Sequence, residues 1–245
     1  MGGHKIFISY KYHDTNVFQM VDEHLLEQSQ KRRIVTPRDY VNVLAEYLDE
    51  HSPHYCKAEE DDNDLENKSE EQIWEYLKDK MFDSTMTIVL ISPNMKEGNK
   101  KDREQWIPWE VQYSLGIETR HNSSGNPVRS FVNAMMAIVL PDKNNSYEYY
   151  FETKNCKECS NTCMVNKTDG LFYILKMNTI NKIQDESSKC KSGDKIYTGD
   201  MNSYIPFYKW CDVNTKGKIE TAIEHSYDIQ SQIEKYEICH EIDEK

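Results

Sequence analysis

The run Thr87-Ile88-Val89-Leu90-Ile91-Ser92-Pro93 decides the fold class of this 245-residue chain. A continuous apolar run of this kind, closed by Ser-Pro, is typical of a strand buried on both faces of a parallel sheet. Two further runs have the same character, because KIFISY at residues 5–10 predicts the first strand and AMMAIVL at residues 134–140 predicts the fourth. We therefore expect a sheet with a buried centre.

Helical patterns and one weak strand separate these runs. Thr36 followed by Pro37 offers a capping hydroxyl and then a proline at the first helical position. Ser69 and Gln72 have the spacing of a capping box. Predicted helices begin near residues 17, 37, 70 and 107, and a short second strand is expected at residues 55–58. This alternation predicts an α/β domain with a parallel sheet and helices on both faces.

The composition of the chain changes after Asp142. Residues 1–142 contain the strong strand patterns, whereas residues 143–245 are rich in tyrosine and lysine and end in a helical pattern at residues 218–236. We expect the first part to form one domain. The second part is interpreted as an extension of the same globule, packed on that domain and able to add an edge strand.

Charge and composition exclude several classes of function. Thirty basic and 42 acidic residues give a net charge of −12, so nucleic acid is not an expected partner. No apolar run approaches the length of about 18 residues that indicates a membrane span, and residues 1–4 do not resemble a signal peptide. The seven cysteines are interpreted mostly as free thiols of a cytoplasmic protein.

Several catalytic motifs are absent from the sequence. G-x-G-x-x-G and G-x-x-x-x-G-K-[ST] do not occur, which argues against a dinucleotide-binding fingerprint or a phosphate loop of that type. H-E-x-x-H and G-x-S-x-G are missing as well. A phosphate-accepting receiver would have an aspartate at the end of its third strand, where this chain has Ile91-Ser92.

Glu110 is the main candidate for a site residue. Pro108 is tolerated only in a first helical turn, so we expect a helix that begins at Ile107 and has Glu110 in its first turn. The positive end of the helix dipole favours a carboxylate, and open α/β sheets bind ligands beyond the carboxyl ends of their strands. The alternative is a solvated glutamate that only complements the dipole.

Four cysteines of the extension have some of the spacing of a zinc site. They form the pattern Cys156-x-x-Cys159-x-x-x-Cys163, with Cys190 further along the chain. Soft thiolate ligands at this spacing fit tetrahedral zinc. A second C-x-x-C is missing, and free thiols of a cytoplasmic loop explain the same residues. Both interpretations stay open.

Four segments together resemble one protein family. They are KIFISYKYHD at residues 5–14, DSTMTIVLISPNM at 83–95, QWIPWEVQYSL at 105–115 and AMMAIVLPD at 134–142. This set resembles the Toll/interleukin-1 receptor-like (TIR) domains, and within them the bacterial TIR-like proteins of Thoeris-type antiphage defence. The resemblance extends over residues 5–142 and implies a flavodoxin-like sheet.

The resemblance also implies an activity, because the enzymatic members cleave NAD⁺ at the nicotinamide–ribose bond. It assigns the catalytic role to Glu110, four residues beyond Trp106. Loss of nicotinamide leaves an oxocarbenium-like ribose, which one carboxylate can stabilise without a metal or a cofactor, NAD⁺ being the substrate. Because Pro108 lies between them, Trp106 and Glu110 need not share a helix face. The residues expected to border the NAD⁺ pocket are Ser9, Tyr10, Lys11 and Trp106.

Several alternatives stay open within this interpretation. Residues 59–68 resemble the mobile loop of TIR self-association, although such a charge run is also typical of a solvated connection. Trp106 and Trp109 could form an aromatic wall or pack in the core. The expected product is ADP-ribose-derived and would act on a downstream effector. Capture of the ribosyl cation by water, by the adenine of the same molecule or by another nucleophile such as an amino acid stays open. The alternative function is a non-catalytic TIR scaffold that acts by protein–protein assembly.

Overall fold

The computed structural model describes residues 5–19, 35–49, 55–56, 69–121, 124–159 and 162–244. Five parallel strands form its central sheet. In chain order they are β1 (Lys5–Ser9), β2 (Tyr55–Cys56), β3 (Met86–Ile91), β4 (Ala134–Val139) and β5 (Phe207–Lys209). Their spatial order is β2-β1-β3-β4-β5, which is the flavodoxin-like order. The predicted fold class is confirmed.

The strands β3 and β4 are buried along their whole length. Successive side chains of a strand point to opposite faces, so Ile88 and Leu90 belong to one core cluster while Val89 and Ile91 belong to the other. A strand with two buried faces has no position that favours a polar side chain. This explains the continuous apolar run in the sequence.

Helices cover both faces of the sheet. They are α1 (Pro37–Asp49), α2 (Glu70–Phe82), α3 (Trp106–Leu115), α4 (Tyr173–Met177), α5 (Trp210–Val213) and α6 (Lys216–Gln230), with 3₁₀ turns at Asp102–Glu104 and Ile233–Lys235. Leu44 of α1 and Ile223 of α6 join Ile88 in one core cluster. Val111 of α3 and Ile174 of α4 join the second cluster, on the opposite face.

The observed element boundaries lie close to the predicted ones. The capping box of α2 forms as expected: Ser69 Oγ accepts a hydrogen bond from Gln72 N–H, and Gln72 Oε1 accepts one from Ser69 N–H. One prediction is wrong, because the expected loop at residues 118–129 contains an exposed hairpin. Its strands are Thr119–His121 and Pro127–Arg129. Exposure on both sides removes the alternation of apolar and polar residues by which a strand is recognised.

Two predictions concern segments outside the described residues. The acidic segment at residues 59–68 lies wholly outside them, and the predicted helix at residues 17–30 is described only to residue 19. Val17 forms an antiparallel bridge with Asp142, and Phe18 N–H donates to the Pro141 carbonyl at 2.9 Å. The described start of this segment therefore pairs with the chain that follows β4.

The described residues beyond residue 142 take part in the same layers. They supply β5, which pairs with β4, and α6, which packs in the core beside α1. They also form two hairpins, Phe151–Asn155 with Thr162–Asn166 and Ser187–Lys189 with Lys195–Tyr197. No helix within the described part of the chain combines the length and the apolar character needed to cross a membrane.

The substitution Ile223→Ala tests whether the last helix unfolds together with the sheet. Ile223 is buried in the cluster that contains the side chains of β3, so we expect a loss of about 2–5 kcal/mol in the free energy of unfolding. Glu224→Ala, at an exposed position beside it, is the control and should change stability by less than about 0.5 kcal/mol. Urea denaturation followed by circular dichroism should show one shifted transition. A second, unshifted transition would show that α6 folds apart from the sheet.

Candidate active site

The carboxyl ends of β1 and β3 lie side by side at one edge of the sheet. Ser9 is the last residue of β1 and pairs with Val89 of β3. Open parallel sheets bind their ligands beyond this edge. A hydrogen bond from Ser9 to Glu110 of α3 places the candidate carboxylate there.

A buried polar network fixes α3 to the sheet. Thr87 Oγ1 of β3 donates to Ser114 Oγ at 2.8 Å, and Asn133 Nδ2 donates to Thr87 Oγ1 at 3.1 Å. Asn133 N–H also donates to the Ser114 carbonyl at 2.9 Å. All three side chains are buried, so these hydrogen bonds offset the cost of removing polar groups from water. With Ile107 and Val111 in the core, the helix has one position on the sheet.

Glu110 and Ser9 form a buried, short hydrogen bond. Ser9 Oγ donates to Glu110 Oε2 at 2.5 Å, and the two residues are 1% and 7% exposed. Hydrogen bonds from a hydroxyl to a carboxylate are shorter and stronger than those between neutral groups. Their strength increases further where water is excluded. The carboxyl group is therefore held in one orientation at the ligand edge of the sheet.

Two expectations for Glu110 are wrong. The helix α3 begins at Trp106 after the N-cap Gln105, so Pro108 is its third residue and Glu110 lies in the second turn. The dipole acts mainly on the first turn and contributes little at this position. The solvated-glutamate interpretation also fails, because Glu110 is buried. Since α3 contains both residues, Trp106 and Glu110 are i and i+4 neighbours on one helix face.

Trp106 and Trp109 lie at the surface, beside Trp74 of α2. Their ring centroids are 6.1 and 6.3 Å from that of Trp74. Trp106 is 43% exposed and Trp109 is 38% exposed, so the core-packing alternative is wrong for both. Trp109 Nε1 donates to the Arg103 carbonyl at 2.8 Å, which fixes its ring. Trp106 lies one turn before Glu110 and presents an aromatic surface on which a planar ligand can stack.

Tyr10 and Lys11 are directed toward neighbouring segments. The Tyr10 hydroxyl accepts a hydrogen bond from Arg38 Nη1 at 3.0 Å. Lys11 Nζ donates to the Asn94 carbonyl at 3.1 Å and to Glu97 Oε1 at 3.3 Å. Both residues follow β1 directly, and these polar contacts join the strand end to α1 and to the loop after β3. These contacts hold the loop after β1 against α1 and the loop after β3, at the border of the candidate site.

Asp14 is a buried residue that the sequence analysis did not single out. Asp14 Oδ1 accepts hydrogen bonds from Asn16 N–H at 2.9 Å and from Asn94 Nδ2 at 3.0 Å. Asp14 Oδ2 accepts one from Asn94 N–H at 2.7 Å. The carboxylate therefore joins the loop after β1 to the loop after β3. Its position in a polar loop directly after a predicted strand is the signal that would have pointed to it.

Three buried hydroxyls have no hydrogen-bond partner among the described residues, namely those of Ser92, Tyr113 and Tyr150. Burial, followed by the carboxylates of Glu118 and Glu75, raises the pKa of Tyr113 to about 12, so this phenol is neutral at physiological pH. Ser92 follows β3 directly, at the ligand edge. A ligand there can supply the partner that a buried hydroxyl normally has.

Among the described residues, one cavity lies against α3 and another lies against α4, and Glu110 lines neither of them. A cavity of about 590 Å³ lies against α2 and α3; its lining includes Trp74, Trp109, Tyr113, Arg120 and His240. A second one, of about 490 Å³, lies against α4 and the chain end; its lining includes Lys96, Asp102, Lys176 and Asp243. We assign the candidate site to the sheet edge, because that edge holds the oriented carboxyl group.

The cysteines of the extension form a separate cluster. The sulfur atoms of Cys156, Cys159 and Cys190 lie within 4.8 Å of one another, and Cys163 is outside this group. A hydrogen bond from the Cys190 thiol, followed by backbone hydrogen bonds at Cys159 and Glu158, lowers the pKa of Cys156 to about 6. A thiol with this pKa is largely thiolate at neutral pH, and the thiolate is the form that binds metals.

No family model matches the sequence, and no solved structure matches the chain at a significant level. The function of the chain is therefore inferred from its own residues and their geometry.

A double-mutant cycle between Ser9→Ala and Glu110→Gln tests the hydrogen bond at the site. Removing the Ser9 hydroxyl deprives a buried carboxyl group of a donor, so Ser9→Ala should lower the free energy of unfolding by about 1–3 kcal/mol. The same substitution should cost less when residue 110 is glutamine, because the charge that strengthens the bond is gone. Chemical denaturation of the four proteins gives the coupling energy.

Ser92→Ala is the matched control for this cycle. The Ser92 hydroxyl is buried but has no partner among the described residues, so its removal should cost less than about 0.5 kcal/mol or should stabilise the fold. A coupling energy of zero between residues 9 and 110, with equal effects of Ser9→Ala and Ser92→Ala, would show that the Ser9 hydrogen bond does not hold Glu110.

Proposed function

We propose that this protein is a TIR-like enzyme that cleaves NAD⁺ at the nicotinamide–ribose bond, with Glu110 as the catalytic residue. The observation that supports this most is the buried carboxyl group of Glu110, which lies at the carboxyl end of a parallel strand. Ser9 Oγ orients it by a hydrogen bond to Glu110 Oε2 at 2.5 Å. Family motifs and sheet order point in the same direction, since the strand order is flavodoxin-like. The proposal also places the protein in the cytoplasm, where NAD⁺ is available.

The proposed reaction requires stabilisation of a cation and no metal or cofactor. The bond between ribose C1′ and the pyridinium nitrogen breaks, and its electron pair stays with the nitrogen, which leaves as neutral nicotinamide. The ribose that remains is oxocarbenium-like, and an anion beside the sugar or bonded to its hydroxyls lowers the energy of that state. Glu110 supplies the anion. Because Ser9 already fixes its orientation, little reorganisation is needed as the positive charge develops.

The surroundings of Glu110 offer further groups for NAD⁺. Trp106 lies on the same face of α3 one turn earlier and is 43% exposed, and we infer that its ring stacks on the nicotinamide. Ser92 has a buried hydroxyl without a partner among the described residues, and a ribose or phosphate oxygen can supply one. Tyr10 and Lys11, which follow β1 directly, are proposed to border the bound NAD⁺.

The ribosyl cation can be captured by three kinds of nucleophile, and each outcome balances. Water can add to C1′ with loss of one proton, which gives ADP-ribose; a nitrogen of the adenine in the same molecule can add, which gives a cyclic product; or another nucleophile such as an amino acid can add, which gives its ADP-ribosyl derivative. In each case the product is a small signal for a downstream effector in antiphage defence. Self-association, with residues 59–68 as the contact segment, is proposed to raise activity, since an unregulated NAD⁺ hydrolase would harm its own cell.

Glu110→Gln should lower the rate of nicotinamide release at least about a hundredfold, equivalent to about 3 kcal/mol of transition-state stabilisation. Glutamine keeps an oxygen that can accept the Ser9 hydrogen bond, so the fold should be retained and the loss is that of the charge. Nicotinamide release should be measured by chromatography over a series of protein concentrations. The rate per chain of the unaltered protein should rise with concentration if self-association raises activity.

Glu104→Gln is the control, because Glu104 is an exposed glutamate just before α3. It should have the rate of the unaltered protein. Circular dichroism and thermal melting should show that both variants are folded. A folded Glu110→Gln protein that releases nicotinamide as fast as the Glu104→Gln control would remove Glu110 from the mechanism and favour the non-catalytic scaffold.

A further inference from the structure

Three cysteines from two separate hairpins meet in the extension. Cys190 Sγ lies 3.1 Å from Cys159 Sγ and 3.2 Å from Cys156 Sγ. Cys156 and Cys159 follow the strand Phe151–Asn155, whereas Cys190 follows the strand Ser187–Lys189. All three residues are partly exposed, and none of them is in a disulfide. The sulfur atoms therefore form the contact between two segments that are distant in the sequence.

We propose that Cys156, Cys159 and Cys190 bind one zinc ion as thiolates and thereby join the two hairpins. Zinc bound to cysteine has Zn–S distances of about 2.3 Å, which places tetrahedral sulfur atoms about 3.8 Å apart. The observed separations of 3.1 and 3.2 Å are within about 0.7 Å of that edge and far from the S–S bond length of about 2.05 Å in a disulfide. A single disulfide would also join only two of the three sulfur atoms and would not explain why the third lies beside them.

The weak core of this region explains why a metal is useful there. The described strands of the two hairpins contain no buried residue, since every position is exposed or intermediate. A two-stranded hairpin without a packed face is marginally stable in water. A structural zinc ion replaces a hydrophobic core in such segments, because the free energy of metal binding becomes folding free energy.

Backbone geometry places Cys190 at the turn of its hairpin. Cys190 N–H donates to the Asp194 carbonyl at 2.8 Å, and the Cys190 carbonyl accepts from Gly193 N–H at 2.9 Å. Gly193 has φ of +88°, a conformation that favours glycine. The turn thus fixes the backbone of Cys190 independently of the C-x-x-C segment. Sulfur ligands select zinc over calcium or magnesium, which prefer oxygen.

Cys163 is assigned as the fourth ligand. It pairs with Lys154 across the first hairpin, and Cys156 lies two residues beyond Lys154. Cys156 directly follows the last paired residue of its strand, so Cys156 and Cys163 lie at the same end of this hairpin, where both can reach one tetrahedral ion. Cys163 Sγ now lies 3.6 Å from the Lys154 carbonyl, so binding requires a change of its side-chain rotamer.

The test measures bound metal in the full chain, purified under reducing conditions and without added metal. Mass spectrometry of the metal content should give one zinc ion per chain. Cys156→Ser, Cys159→Ser and Cys190→Ser should each lose at least about nine-tenths of it, and Cys163→Ser should weaken zinc binding at least about tenfold. Cys211→Ser and Cys239→Ser are matched controls outside the cluster and should retain one zinc ion per chain.

Two measurements on the unaltered protein keep the proposal testable if the variants misfold. Cobalt(II) added to metal-free protein should give the thiolate-to-cobalt charge-transfer band of a tetrahedral sulfur site. Removal of zinc by a chelator should speed proteolysis within residues 151–197 while α6 stays folded. Purified protein without zinc and without the cobalt band, or with a Cys–Cys190 disulfide under reducing conditions, would overturn the site. Full zinc affinity in Cys163→Ser would remove Cys163 from the ligands. None of these readouts depends on NAD⁺ cleavage.

Discussion

The structure depends on the burial of β3 on both faces. Its six residues, Met86–Ile91, are all buried, so apolar helices must cover the sheet from both sides. Parallel strands cannot be joined by short hairpins, and each crossover returns the chain to the same edge before the next strand begins. The chain therefore leaves every strand at the opposite edge. Ser9 and Ser92 lie at this edge for that reason, and α3 reaches it from the loop that follows β3.

The buried hydrogen bond between Ser9 and Glu110 shows how such a scaffold can hold a charge-bearing group. Its two residues are 101 positions apart in the chain, so only the sheet brings them together. A carboxyl group removed from water is costly unless it is hydrogen-bonded, and the Ser9 hydroxyl offsets part of this cost. In an enzyme, a buried carboxylate can stabilise positive charge that develops on the substrate. This makes the pair a better indication of function than an exposed glutamate would be.

Much of the fold could be predicted from local sequence patterns. The apolar runs, the capping box of Ser69 and Gln72, and Pro37 at a helix start all depend on neighbouring residues, and the corresponding elements lie within about two residues of their predicted bounds. Short exposed strands such as Thr119–His121 do not alternate between core and solvent, so no alternation of apolar and polar residues predicts them. The sequence pattern of β2 is weak, and this strand was predicted mainly because strands and helices alternate in an α/β fold.

The candidate site was predicted less completely, because it depends on contacts between distant segments. Glu110 could be named from its motif, but its burial and its partner could not. The position of Glu110 in α3 depends on the exact start of that helix. Because α3 begins at Trp106, one residue earlier than predicted, Glu110 lies in the second turn and shares a helix face with Trp106. The role of Asp14 in joining two loops, and the meeting of Cys190 with Cys156, also appear only when the chain is folded.

NAD⁺ cleavage is the proposed function of the Glu110 carboxyl group at the sheet edge. Mass spectrometry of the small molecules formed from NAD⁺ by the unaltered chain, both purified at high concentration and expressed in cells, tests it most directly. We expect free nicotinamide together with an equal amount of ADP-ribose, its cyclic form or another ADP-ribosyl product. Intact NAD⁺ in both settings, with the protein folded and self-associated, would contradict it.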